Sequence, residues 1–151
     1  MRIKVLLGAL FISIAAGRLA VAEEVLELAA VIGMDLNQAY QTFGVPAQVY
    51  ALRGSESWQD DVVFYYPEHI YLFWFRSRVW QVRVDSRYAK QLFSLHMGDS
   101  RERILEIMGA PEKEFEDSLL YHLEDRGYPV RARFYFEDGV LTDVYCFRGD
   151  L

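Results

Sequence analysis

"GDSRERILEIMGAP" (residues 98–111) and "GMDLNQAYQTFGVP" (residues 33–46) place Gly, Gly and Pro at the same three offsets, 65 positions apart. Each reads as a short capped helix. In the earlier stretch Asp35 precedes Leu36, Ala39, Tyr40 and Phe43, the i, i+3, i+4, i+7 stripe of an amphipathic helix. Gln38, three residues after Asp35, completes a capping-box pattern. In the later stretch Asp99 or Ser100 stands at the cap, and Ile104, Leu105 and Met108 form the stripe. Gly44 and Gly109 are natural helix stops, and Pro46 and Pro111 bar continuation. Helices this short are not stable alone, so each must lie against another element.

Strand-like segments follow each helix. After Pro46 come "AQVYAL", "DVVFYY", "IYLFWF" and "VWQVRV"; after Pro111 come "KEF", "SLLYHL", "VRARFYF" and "VLTDVYCF". Turn residues separate them, with Asp138-Gly139 the strongest hairpin signal. The approaches also match: Leu28, Ala30 and Ile32 alternate before Gly33, as Phe93, Leu95 and Met97 do before Gly98. The pattern predicts an internal repeat over residues 23–85 and 86–151, each half a helix plus antiparallel strands, within one compact domain. The expected fold class is α+β: two tandem helix-plus-sheet units forming one curved sheet with helices on one face.

Alternation then predicts the two faces. In "VRARFYF", Val130, Ala132, Phe134 and Phe136 point one way, toward the core, and Arg131, Arg133 and Tyr135 the other, toward water. In "IYLFWF" both faces are apolar. Matching Phe73 and Phe75 to Phe134 and Phe136 as core leaves Leu72 and Trp74 on the open face beside Arg133 and Tyr135. An exposed apolar patch rimmed by polar groups marks an interaction site, unless loops or the connector over residues 86–97 cover it. Trp58, in the loop "RGSESWQDD", reads either as a binding anchor or as the start of the next strand.

The N-terminus has the layout of a secretory signal peptide over residues 1–22: Arg2 and Lys4, an apolar run from Val5 to Ala16, then Ala20-Val21-Ala22 before Glu23. The run is 12 residues long, short of the roughly 20 that a membrane span needs. No Cys lies near the cleavage site, so no lipid anchor is expected, and the single Cys146 allows no internal disulfide. Processing would remove three of 16 basic residues and none of 22 acidic ones, leaving 13 against 22. So acidic a chain is a poor partner for nucleic acid, whose affinity comes from neutralised phosphates. A periplasmic or secreted protein is expected.

Enzyme signals are thin. His69, His96 and His122 have no metal-ligand spacing, and nucleophile-elbow, Walker and Rossmann patterns are missing. Glu112, Glu114, Glu116 and Asp117 read as a solvated acidic edge. No catalytic residue, metal or cofactor is assigned.

The pattern L-x-x-G…G-x-P, then paired strands, then F-x-F-x-x-G-x-L resembles the SmpA/OmlA small outer-membrane assembly proteins and the secreted β-lactamase inhibitor proteins, which share a fold. It is carried by Leu95, Gly98, Gly109, Pro111, Phe134, Phe136, Gly139 and Leu141, and in the first half by Gly33, Gly44, Pro46, Phe73 and Phe75, with Arg76-Ser77-Arg78 in place of the glycine hairpin. The resemblance spans essentially the whole of residues 23–151, as two copies. It implies a non-catalytic binding protein of the cell envelope whose open sheet face grips a protein partner. The expected contacts are Leu72, Trp74 and Tyr135 as anchors, Arg131 and Arg133 as polar groups, and Trp58 as a further candidate. Two other uses of such a face are an inhibitor of a secreted or periplasmic hydrolase and a small-molecule or lipid carrier. The sequence sets no oligomeric state.

Overall fold

The computed structural model describes residues 25–56 and 60–151; the expected signal peptide and Trp58 fall outside them. The chain forms helices α1 (Leu28–Val31), α2 (Leu36–Phe43) and α3 (Arg101–Met108). Its strands are β1 (Gln48–Leu52), β2 (Asp61–Tyr66), β3 (Ile70–Phe75), β4 (Arg78–Asp85), β5 (Lys113–Glu114), β6 (Ser118–His122), β7 (Val130–Glu137) and β8 (Val140–Arg148). All eight join one antiparallel sheet in the order β1-β2-β3-β4-β8-β7-β6-β5. The protein is therefore α+β, with each of α2 and α3 followed by a four-strand meander and the meanders meeting along β4 and β8.

The helix ends obey the sequence closely. Asp35 accepts a bond from the Gln38 N–H while the Gln38 side chain accepts one from the Asp35 N–H, both at 2.9 Å. Ser100, rather than Asp99, caps α3 by accepting from the Arg103 N–H at 3.2 Å. Gly44 and Gly109 end the helices at φ 74°, ψ −153° and φ 78°, ψ −157°. The positive φ is what a glycine stop supplies, but ψ lies far from the left-handed helical region, in backbone space open essentially to glycine alone. Each helix is also tied to the sheet in the same way. Gly33 N–H donates to Val79 O and Val79 N–H to Met34 O; Gly98 N–H donates to Leu141 O and Leu141 N–H to Asp99 O. One difference from the sequence reading is local: Leu28–Val31 forms a single helical turn rather than an extended approach.

One face of the sheet holds the core. Phe64, Leu72, Val82, Cys146, Ala132 and Tyr121 stand opposite one another in a row from β2 to β6, and all are buried. Leu28 of α1, Ala39 of α2 and Ile104 of α3 join the same cluster, so the helices cover this face. Tyr88, Leu92 and Leu95 of the 86–97 connector join it too. The connector thus reinforces the core side instead of covering the open face.

This row corrects the expected faces of β3. Leu72 (0% exposed) and Trp74 (9%) belong to the core, not to the open face. Phe73 points to the opposite face, and Phe75 is 37% exposed. The cause is the turn. Arg76 and Ser77 have φ 47° and 61°, and Asp138 and Gly139 have φ 51° and 80°. Two positive-φ residues in succession suit a two-residue hairpin loop of the kind that Asp-Gly favours. Aligning the two turns matches Trp74 to Phe136 and Leu72 to Phe134, one residue away from the F-x-F match, and a one-residue slip exchanges the faces of a strand. Phe134 is fully buried and Phe136 packs against the core, as expected.

Candidate functional site

The face opposite the helices carries a second row, one residue out of step with the first. Tyr65, Tyr71, Arg83, Tyr145 and Arg133 lie side by side on β2, β3, β4, β8 and β7. Each falls at the outward position of a strand whose neighbours on either side in sequence point to the core. None is fully exposed, because each side chain lies against others on this face. The Tyr65 and Tyr71 rings sit 4.9 Å apart. The Arg83 guanidinium lies over Tyr71 at 5.0 Å and Tyr145 at 5.5 Å. Tyr145 meets Tyr135 edge to face at 5.5 Å. The Arg133 guanidinium lies between Tyr135 at 4.8 Å and Phe115 at 4.2 Å, and the Lys113 ammonium over Phe115 at 4.8 Å. Cations and aromatic rings therefore interleave across most of the sheet, with a charged group held against the faces of Tyr71, Tyr145, Tyr135 and Phe115.

Polar bonds fix the ladder at three places. Arg83 Nε donates to Asp143 at 2.7 Å. Burial would lower the Arg83 pKa, but the bond to the Asp143 carboxylate and its charge outweigh it and hold the guanidinium charged. Arg133 Nε donates to Ser118 Oγ at 3.0 Å. No carboxylate lies within ion-pair distance of Arg133 or Lys113 among the described residues. Arg131, by contrast, is held at the rim by both oxygens of Glu112, at 2.9 and 3.1 Å.

The third fixed point is Asp85, at the end of β4 and only 7% exposed. It accepts from Tyr71 Oη at 2.8 Å, from the Arg87 N–H at 2.9 Å and from the Arg87 guanidinium at 3.2 Å. His69 Nδ1 lies 3.6 Å away, in the turn before β3. Burial alone would raise the Asp85 pKa, but the Arg87 bonds and the Tyr71 hydroxyl prevail and bring it down to about 2. The Tyr71 phenol moves the other way, up to about 12, through burial first and then its bond to Asp85.

Beside Tyr135 and Tyr145 the face holds a shallow hollow of about 360 Å³, whose polar lining includes Arg83, Asp117 and Asp143. Two larger or similar clefts lie toward the helix side, one beside Phe93 and Arg126 (about 630 Å³) and one between Met34, Phe43 and Ile70 (about 370 Å³). No group of three or more metal-ligating side chains occurs among the described residues.

Of the expected contacts, Arg131, Arg133 and Tyr135 stand on the open face, and Leu72 and Trp74 do not. Tyr65, Tyr71, Arg83, Phe115 and Tyr145 were missed. The signal for two of them was in "VRVD" and "VYC", where Val82 and Val84 flank Arg83, and Val144 and Cys146 flank Tyr145. Apolar neighbours on both sides assign the residue between them to the outer face.

No family model and no curated protein sequence matches this chain. Among solved structures, an extracellular protein containing a SCP domain from Bacillus anthracis str. Ames superposes with a TM-score of 0.55 at 12% identity, over 85% of this chain and 49% of that one. The chain thus spans about half the length of that protein, and the likeness is one of fold. The "putative beta-lactamase inhibitor protein" of Streptococcus mutans aligns over 76% of this chain and 82% of its own, at 17% identity and a TM-score of 0.33. No helix among the described residues is long and apolar enough to cross a membrane.

Proposed function

We propose that the chain is a non-catalytic, secreted or periplasmic module that binds a protein partner in the cell envelope through the open face of its sheet. The observation that carries this reading is the ladder from Lys113 to Tyr65, in which aromatic rings and cations are already ordered by one another. Binding then orders few new side chains, which lowers the entropic cost of association. Tyr and Arg are also the residue types in which interface energy concentrates. Arg133 is the central polar contact: stacked on two rings, it has terminal nitrogens to offer to a partner's carboxylate or carbonyl. We further read the two helix-plus-meander halves, residues 23–85 and 86–151, as a tandem repeat of the β-lactamase-inhibitor type. The matching helix-to-sheet bonds of Gly33 and Gly98 support that reading.

The test is affinity capture of the exported chain from its native envelope, followed by binding measurements with the captured protein. Arg133→Ala and Tyr135→Ala should each weaken binding by about tenfold or more while leaving thermal unfolding little changed. Undiminished binding by both variants would move the site off this face. A captured hydrolase whose turnover falls on binding would make the module an inhibitor.

A further inference from the structure

The two edges of the sheet differ in kind. At one end β5 is two residues long and both, Lys113 and Glu114, are charged. Short, charged edges are how sheets avoid pairing with other chains. At the other end β1 has five residues, Gln48–Leu52, all exposed, and among the described residues it pairs on one side only, with β2. It has no charge, no Pro and no bulge in its register with β2. Apolar groups stand exposed along both faces of this edge. On the helix side Tyr40, Val49 and Val62 are 40%, 57% and 44% exposed, and on the ladder side Tyr50 and Leu52 are 40% and 50% exposed.

We propose that β1 pairs with β1 of a second copy of this chain, across a twofold axis, to form a continuous sixteen-stranded sheet. Charge identifies the occupant. The processed chain carries 13 basic against 22 acidic residues, and like-charged copies repel wherever acidic surfaces meet. The 17 residues from Leu36 to Leu52, which make α2 and β1, contain no charged side chain, although 25% of the whole chain is charged. Antiparallel pairing sets each β1 residue against its own sequence reversed, so an uncharged strand meets no like charge. The edge asymmetry fixes the stoichiometry. Because β5 is too short and too charged to receive β1, head-to-tail growth is blocked and assembly closes at two. The ladder faces of both copies then lie on one continuous surface.

Sedimentation velocity on the full chain, processed in the cell, should show a dimer. Val49→Lys, at a position already exposed in the single copy, should leave circular dichroism unchanged and raise the dissociation constant by tenfold or more. Cys146 is buried and is the only cysteine, so introduced thiols report cleanly. Placed in turn at 49, 50 and 51, at least one should give a disulfide-linked dimer under mild oxidation, and Lys113→Cys on the opposite edge should not. The proposal is overturned by a monomer at about 100 μM, well above the Kd of a specific dimer. It is equally overturned by a dimer that Val49→Lys leaves intact, or by cross-linking through position 113 alone. A monomer that instead binds an extended peptide at β1 also refutes the second copy as occupant.

Discussion

Replacing Asp85 with Asn removes the charge that holds the Tyr71 end of the ladder. The carboxyl has a folded-state pKa of about 2, against ~3.9 in an unfolded chain. A displacement of nearly two units corresponds to about 2.5 kcal/mol of preferential interaction with the ionised form. The Asp85 side chain is only 9% exposed, so solvent screens little of this. The folded pKa is depressed, so between the two values the unfolded chain binds more protons than the folded one. The stabilisation is therefore fully present above about pH 5 and lost as pH falls toward 2. Urea unfolding followed by tryptophan fluorescence, at several pH values from 7 down to 2.5, reads this directly. Other carboxylates titrate in the same window, so the informative quantity is the gap between wild type and Asp85→Asn. It should be about 2–3 kcal/mol at pH 7 and close steadily below pH 4, because protonated Asp and Asn are alike in charge and shape. A gap that stays constant down to pH 2.5 would show that Asp85 contributes through packing alone, and the electrostatic account of the Tyr71–Asp85–Arg87 cluster would fail.

Further outcomes follow from the packing. Gly44→Val and Gly109→Val should each cost about 1–3 kcal/mol in thermal unfolding, from backbone strain at positive φ alone, since a Cβ at either site meets no atom of the described residues within 4 Å. Trp74→Ala and Phe134→Ala should each destabilise by about 3–5 kcal/mol, because both empty buried aromatic sites; a small effect at Trp74 would return it to the open face. Trp74→Phe should cost far less than Trp74→Ala, because the indole N–H has no hydrogen-bond partner among the described residues to lose. The Cys146 thiol, pushed up to about 12 chiefly by burial, should resist a thiol reagent at pH 8 in the native protein and react at once in denaturant; rapid native labelling would show that β8 opens locally.

The processing expectation is independent of the fold. Mass spectrometry of exported protein should show a start at or near Glu23 and no added lipid mass; a retained leader would remove the basis for the secreted reading.

Much of the architecture was legible from short-range chemistry. Caps, stops and apolar stripes identified α2 and α3, because those signals act within one or two turns of backbone. The sides of β7 were legible because its residues alternate strictly between apolar and polar, which leaves a single way to bury it. This alone put Arg131, Arg133 and Tyr135 on the outer face. Strand β3 was not legible in the same way. Its residues Ile70 to Phe75 are apolar on both sides, so composition does not choose a face. Only the placement of the Arg76-Ser77 turn against its partner strand, with the register shift between Phe73 and Trp74, turns Leu72 and Trp74 inward. The ladder belongs wholly to the tertiary structure. Tyr71, Arg83, Tyr145 and Arg133 are separated by up to 74 positions in the chain, and nothing local in any one strand links them. They meet because β4 lies beside β8, and the register of that single pairing sets Arg83 opposite Tyr145.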